Sequence, residues 1–342
     1  MRGVDTLEQL AAVKRIPIEA AKDTVVLNAD DPLCLRMAGY SQADNICYVT
    51  VDSKNLIVRQ HIRAGGRAVA LEDGINGQMI SIYEKGRHMP LLWTHLIPAT
   101  VEGQALHNVQ NAMFATAMAF SMGVSLDNIR QGLRTFDTSF FQTPGRMNIF
   151  DKLGFKVILD YGHNPAAVQA MCRLVDGLVK TSALGPEGRR VCVLSAPGDR
   201  RDQDIQEIAK IASSSFDLFI CRQDDRLRRR EYGEVPRLLK QGLLDAGVAE
   251  QQIVLQCDEN DAVQYALQQC KQGDLLLIFA DNTTRSWKQI IYFHDALLAE
   301  GSTNHEDVEE PDVYDVQSSP DLEELQLQQD SRGVFIAPEL SD

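Results

Sequence analysis

LDYGHNPAA, from Leu159 to Ala167, joins an apolar run to a polar turn, and chemically useful side chains are densest there. In an open parallel sheet, ligands bind beyond the carboxyl ends of the strands, so polar residues at those ends are the first to inspect. The run FKVILDYG delivers Asp160 to such an end, Gly162 permits a tight turn, and Pro165 suits the first turn of a following helix. A carboxylate there can accept hydrogen bonds from a ribose diol, while His163 and Asn164 sit beside helix amides able to face phosphate. A plainer role is open too, in which Asp160 and Asn164 only cap the helix.

HNVQN places Asn108 and Asn111 three residues apart, on one face of a helix's first turn. Paired carboxamides offer donors and acceptors together, which suits the edge of a purine, although asparagine at a helix start is also ordinary capping chemistry. In PGRM, Arg146 falls between two candidate domains, where its fixed fork of donors could bridge a phosphate across a cleft. Three further polar turns follow apolar runs: SAPGDRRDQD, CRQDDRL and FADNTTRSWKQ. The cluster RLRRR, Arg226 to Arg230, reads as a solvated loop or as a contact for an anionic substrate.

These residues need elements to hold them. DTLEQLAAVKRI predicts a helix with Asp5 or Thr6 as N-cap. TVVLNADDP, ICYVTV, RAVALEDG and QMISIYEKG have strand-like composition between Gly, Asn and Asp turn signals, and together predict a mixed sheet. HNVQNAMFATAMAFSMGV is a helix stopped by Gly123, followed by SLDNIRQGLRTF with Ser125 as N-cap. From Met147 strands and helices alternate, and the strands are short, continuous apolar runs. That pattern predicts a parallel, Rossmann-like doubly wound sheet covered by helices on both faces. The fold class is therefore α/β, with domains at 1–145 and 146–298 and a boundary near QTPGRM.

Composition narrows the partners. The chain has 342 residues, 44% hydrophobic and 24% charged, enough for two cores. Its formal charge of −14 comes largely from the residues after Ala299, where thirteen acids face only Arg332, and this tail, 299–342, is expected to be disordered. GVFIAPEL within it reads as an ordinary terminus or as a short docking segment. The near-neutral body does not support nucleic-acid binding through a basic field. No apolar run is long enough for a membrane span and no signal peptide is visible, so the expected location is cytoplasmic. Seven scattered cysteines with no CxxC pair are expected to be reduced and buried, and no metal ligands are assigned.

The ordered set VLNADDP, LHNVQNA, PGRM, LDYGHNPAA and PGDRRD resembles the Mur ligase superfamily, and TFDTSFFQTPGRMN, ILDYGHNPAAVQAM and FADNTTRSWKQI resemble its cyanophycin synthetase branch. The resemblance runs from Val4 to about Phe293. It implies a partial Mur central domain followed by the Mur C-terminal domain. It also implies an ATP-dependent ligase that joins arginine to aspartate side-chain carboxylates of a polymer through an acyl phosphate. Asn108 and Asn111 match the family's asparagine pair near adenine, Arg146 its phosphate-side arginine and Asp160 its ribose-binding aspartate. His163 and Asn164 share that signature, with Arg146 and His163 as the catalytic candidates. Asn164, Asp199, Arg200, Arg201, Arg285 and Trp287 are assigned substrate contacts, Trp287 with a core role as the alternative.

One departure is large. The family's GxxGKT loop and its acidic and histidine metal ligands are not found; Gly65-Gly66 and GINGQ lack a following Lys-Ser/Thr and read as turns. ATP is thus the expected cofactor, with Mg²⁺ expected only alongside an N-terminal part this chain lacks, so that alone it would be inactive. A complementary N-terminal chain or a full-length synthetase is the expected partner, and a homologous subunit is expected to cover the exposed sheet edge as a homo-oligomer. A non-catalytic nucleotide- or polymer-binding partner, and another Mur-type enzyme such as a folate polyglutamylase, are the alternatives.

Overall fold

The computed structural model describes residues 6–180, 188–302, 327–330 and 333–336. The chain forms two compact units, Met1–Ala296 and Leu297–Asp342. The first holds two sheets.

In the N-terminal part, helix α1 (Leu7–Lys14) starts at a reciprocal cap, with Thr6 Oγ1 accepting from the Gln9 amide and the Gln9 side chain accepting from the Thr6 amide, both at 3.2 Å. A short helix α2 (Ile16–Ala20) leads to β1 (Thr24–Asn28). Helix α3 (Pro32–Met37) is capped by Asp31, strand β2 (Asn45–Thr50) follows, and α4 (Leu56–Arg63) is capped by Asn55. Strands β3 (Arg67–Gly74), β4 (Gly77–Glu84) and β5 (Arg87–Trp93) complete a sheet in the order β1-β2-β3-β4-β5. The first three run parallel and the last two antiparallel. Lys85 and Gly86 both hold positive φ, the geometry a two-residue hairpin needs to match strand twist. The mixed sheet is as the sequence suggested. The sequence did not reveal α3, α4 and β5, none of them longer than eight residues.

Helix α5 (Leu106–Ser121) lays Val109, Ala112, Met113 and Ala117 against the sheet, forming one core with Val49, Val69, Ile80 and Ile82. It stops where Gly123 takes φ +81°, and α6 (Leu126–Thr135) begins with Ser125 Oγ accepting from the Asn128 amide at 3.3 Å.

The C-terminal part contains β6 (Asn148–Phe150), β7 (Lys156–Asp160), α7 (Pro165–Lys180), β8 (Arg190–Leu194), α8 (Asp202–Ala212), β9 (Leu218–Cys221), α9 (Glu234–Asp245), β10 (Ile253–Leu255), α10 (Glu259–Gln269), β11 (Leu275–Phe279) and α11 (Thr283–Ser302). Its sheet has the order β10-β9-β8-β11-β7-β6, parallel except at β6, which pairs antiparallel with β7 as an edge strand. Along β11, Leu275, Leu277 and Phe279 enter the core beneath α7, α8 and α9, whereas Leu276 and Ile278 enter the opposite core with Val263 and Ile290. Alternation onto two covered faces is why these strands read as unbroken apolar runs. The antiparallel edge was not foreseen, because a three-residue strand carries too little pattern.

In the second unit, β12 (Leu327–Asp330) pairs antiparallel with β13 (Gly333–Ile336), which includes part of GVFIAPEL. Most of the acidic tail expected to be disordered lies outside the described residues.

Candidate functional site

A cavity of about 950 Å³ is bounded by α5, α6, the segment from Phe136 to Met147, Asp160 and the first turns of α7. Asn108, Asn111, Arg146 and Asp160 all line it, so the two sheets bring these four sequence-separated residues to one space. His107 lines it as well. Sequence reasoning passed over His107, although its position directly before Asn108 in HNVQN was the available signal.

The asparagines are not equivalent. Asn108 donates from Nδ2 to the Ala99 carbonyl at 2.7 Å, and its Oδ1 accepts from Asn111 Nδ2 at 3.1 Å. Asn108 is thereby committed to the protein and orients Asn111, which keeps its carbonyl oxygen and one N–H for a ligand. Neither side chain caps α5, whose N-cap is Ala105 without a side-chain bond.

Asp160 is 8% exposed. Its Oδ2 accepts from the Met147 amide at 2.9 Å and its Oδ1 from the Gly162 amide at 2.6 Å. It therefore does not cap α7; Asn164 does, accepting from the Ala167 amide at 3.0 Å. Burial raises the pKa of Asp160, opposed by those two amides, by Arg146 and by His107. Burial also lowers the pKa of His107, which the nearby Asp160 carboxylate partly offsets. The turn that carries Arg146 is tightly tied down. Gly145 has φ +71°, its amide donates to Asn148 Oδ1 at 2.7 Å, and its carbonyl accepts from the Tyr161 amide at 2.9 Å. A Cβ at Gly145 would sit 2.5 Å from Thr283 Cγ2, so glycine is required both for φ and for space. Arg146 is exposed, with its guanidinium 5.5 Å from the Tyr161 ring centroid.

The other predicted residues lie elsewhere. His163 and Asn164 are not among the residues lining the cavity. His163 places Nδ1 3.1 Å from the Tyr161 carbonyl oxygen. Arg201 pairs with Asp204 at 2.8 Å and Asp199 with Arg228 at 3.2 Å, while the Arg200 carbonyl accepts from Arg230 Nη2 at 2.6 Å. Part of RLRRR thus clamps the PGDRRD loop. Arg285 is bidentate to Asp225 at 2.9 and 3.0 Å and borders a smaller cavity of about 460 Å³. Trp287 stacks on Phe140 with centroids 4.9 Å apart and planes at 5°, and meets Phe150 edge-on, which is the core role.

Beyond the carboxyl ends of β9 and β11 lies a buried charge network that sequence reasoning missed. Arg222 and Glu259, both fully buried, pair at 2.9 Å, and Arg222 reaches Asp224 at 3.4 Å and the Phe279 carbonyl at 2.6 Å. Burial raises the Asp224 carboxyl from 3.8 to about 6, with Arg222 and Arg228 opposing and Asp281 and Glu259 reinforcing the rise. A carboxyl with a raised folded pKa binds protons more readily in the native state. Its contribution is complete below the unfolded value and is lost as pH rises through the folded one. Asp224→Asn is expected to flatten this decline between about pH 4 and 6.5, by about 1–3 kcal/mol. Urea melts across that range measure it, and a variant with the wild-type slope would refute the assignment.

Residues 145–282 match the family described as Mur ligase, glutamate ligase domain. The chain is 37% identical over 294 residues to a cyanophycin synthetase of Geminocystis herdmanii, covering 85% of this chain but 32% of that relative. The chain therefore spans about a third of that protein's length. The UDP-N-acetylmuramoylalanyl-D-glutamyl-2,6-diaminopimelate--D-alanyl-D-alanyl ligase of Acinetobacter baumannii superposes with a TM-score of 0.54 at 16% identity, over 85% of this chain and 57% of that one. The Mycobacterium tuberculosis folylpolyglutamate synthase, complexed with ADP and AMPPCP, gives 0.50 at 15% identity, over 78% of this chain and 63% of that one. These likenesses establish the fold as that of Mur ligases.

Proposed function

We propose that this chain, a homologue of cyanophycin synthetases carrying a Mur ligase C-terminal domain, supplies the base- and ribose-binding side of an ATP-dependent ligase that forms carbon–nitrogen bonds. The observation that carries this reading is the meeting of Asn108, Asn111, Arg146 and Asp160 at one cavity. The residues fit an adenine nucleotide. Asn111 keeps an acceptor and a donor for the edge of adenine. Asp160 spends one lone pair of each oxygen on an amide and retains roughly two more for ribose hydroxyls. Arg146, exposed at the rim, offers its fork to a phosphate.

The substrates in this reading are ATP, arginine and an aspartate-containing polymer. The side-chain carboxylate attacks the γ-phosphorus of ATP and ADP leaves; the arginine amine then attacks the acyl carbon and loses a proton, and phosphate leaves with an amide formed. Residues for the phosphoryl step are a different matter. Among the described residues no group of three or more His, Cys, Asp or Glu side chains could hold a metal ion, and the sequence has no GxxGKT loop. We assign the Mg²⁺ and γ-phosphate machinery to residues outside these 342, in an N-terminal part, a complementary chain or a full-length synthetase.

Calorimetric titration with ADP tests the nucleotide reading. The chain is expected to bind ADP, and Asn111→Ala to weaken binding about 5- to 30-fold, the equivalent of losing roughly 1–2 kcal/mol of hydrogen bonding. Affinity untouched by that change would refute the base contact. The same chain, given ATP, arginine and an aspartate-containing primer, is expected to incorporate no arginine; turnover without a second protein would overturn the assignment of the missing machinery.

A further inference from the structure

The turn from Thr100 to Ala105, which leads into α5, holds a strained backbone. Val101, Glu102 and Gly103 take φ of +51°, +56° and +84° in succession. A left-handed conformation comes freely to glycine, but for a β-branched residue such as Val101 it is an outlier that the surroundings must impose. The turn is fastened at both ends. Thr100, fully buried, donates from Oγ1 to the Thr94 carbonyl at 2.7 Å and accepts from the Gly103 amide at 3.0 Å, while the Ala105 amide donates to the Thr100 carbonyl at 2.8 Å.

The strain secures a contact between the two parts of the first unit. Val101 packs against the core beneath α7, α8 and α9, and Ala105, with no exposed surface, lies within it. Among the described residues these two are the members of that core that precede Gly145. Gln104 sits against α7, where a Cβ at Gly177 would come within 2.5 Å of its Oε1. The same segment governs the asparagines. Ala99, two residues before Val101, supplies the carbonyl that fixes Asn108, and Asn108 in turn orients Asn111. Asn108 and Asn111 thus reach the cavity from the N-terminal part and Asp160 from the C-terminal part, and the turn ties the two sides together beside it.

We propose that Val101 is a positioning residue of the nucleotide site: its side chain, packed on the C-terminal core, sets the base-binding asparagines at a fixed distance from Asp160. This role rests on the nucleotide reading and adds to it how the two sides are held for simultaneous contact. A ligand that bridges two sides of a cavity binds more tightly the better those sides are pre-set for it. A loosened turn forfeits that gain without removing any group that touches the ligand. A turn with no such duty would carry glycine or asparagine at position 101, since both adopt positive φ readily.

Titration calorimetry with ADP on the full chain tests this through Val101→Gly, which relieves the backbone but removes the side chain, and Val101→Ile, which keeps the apolar contact. Val101→Gly is expected to weaken ADP about 3- to 10-fold, and Val101→Ile to stay within about twofold of wild type. In the Val101→Gly background, Asn111→Ala should cost about twofold or less, well below its effect in the wild-type chain, because the two sides no longer engage together. A variant that merely lowers stability would leave that factor unchanged. Gly177→Leu sets a helix-favouring side chain against Gln104 from α7 and is expected to reproduce both results; it decides the matter if thermal melting shows Val101→Gly unfolded. Wild-type ADP affinity in whichever of these two variants folds, or a full Asn111→Ala penalty in its background, overturns the positioning role, and weak binding by Asp160→Asn then leaves the nucleotide reading standing. Wild-type protein that binds no ADP overturns both.

Discussion

Glu259→Ala is expected to lower the unfolding free energy by about 3–5 kcal/mol, the usual cost of removing one member of a buried ion pair. Glu259 has no exposed surface and meets five partners at once. It accepts hydrogen bonds from the amides of Asp281 and Asn282 at 2.8 and 3.1 Å and from Ser286 Oγ at 2.8 Å, and it forms ion pairs with Arg222 at 2.9 Å and Arg285 at 3.5 Å. Alanine would leave the Arg222 guanidinium, also fully buried, without its closest carboxylate, and would orphan the turn from β11 into α11. The remaining Asp224 contact, at 3.4 Å, is a poor substitute because burial already biases that carboxyl toward its neutral form. Equilibrium urea unfolding measures the effect. Combining Arg222→Met with Glu259→Leu removes both charges and is expected to recover part of the loss, since the remaining penalty is then one of packing and unpaired amides. A loss below about 1 kcal/mol in the single variant would contradict the network's role.

Asp160→Asn is expected to weaken ADP about 100-fold or more, equivalent to roughly 2.7 kcal/mol, because ionised acceptors make hydrogen bonds about twice as strong as neutral ones. The substitution acts on the protein as well. Both carboxylate oxygens accept from backbone amides, Met147 on one and Gly162 on the other. A carboxamide offers one oxygen, so its NH₂ must confront one of those N–H groups. Met147 also holds φ +50°, a left-handed conformation that its amide bond to Asp160 helps maintain. A stability loss of about 1–3 kcal/mol should therefore accompany the loss of binding. Burial raises the Asp160 carboxyl, so ADP affinity in the wild type is expected to fall as pH drops and the carboxyl is protonated. Calorimetry from pH 4 to 7.5, with the variant showing no such dependence on this group, would separate the two effects. Wild-type affinity in the asparagine variant would remove Asp160 from the site.

Much of the architecture was legible because it is written in short-range pattern. Apolar runs bounded by glycine and asparagine marked most strands, and caps such as Ser125 and the Gly123 stop marked helix ends, since those signals depend on neighbours within a few residues. The resemblance carried by HNVQN, PGRM and LDYGHNPAA also named four residues that prove to line one cavity. What the sequence left open was which of two roles each residue plays. Asn164 caps and Asp160 does not; Asn108 is spent on Ala99 while Asn111 is held by Asn108 with capacity to spare. The pairing of Arg222 with Glu259 was invisible beforehand, because burial and the choice of partner belong to packing between distant segments. A periodicity of two or 3.6 residues tells which face of an element is apolar. Only the packed chain decides which polar groups are shut away from water, and hence which must find each other or a ligand.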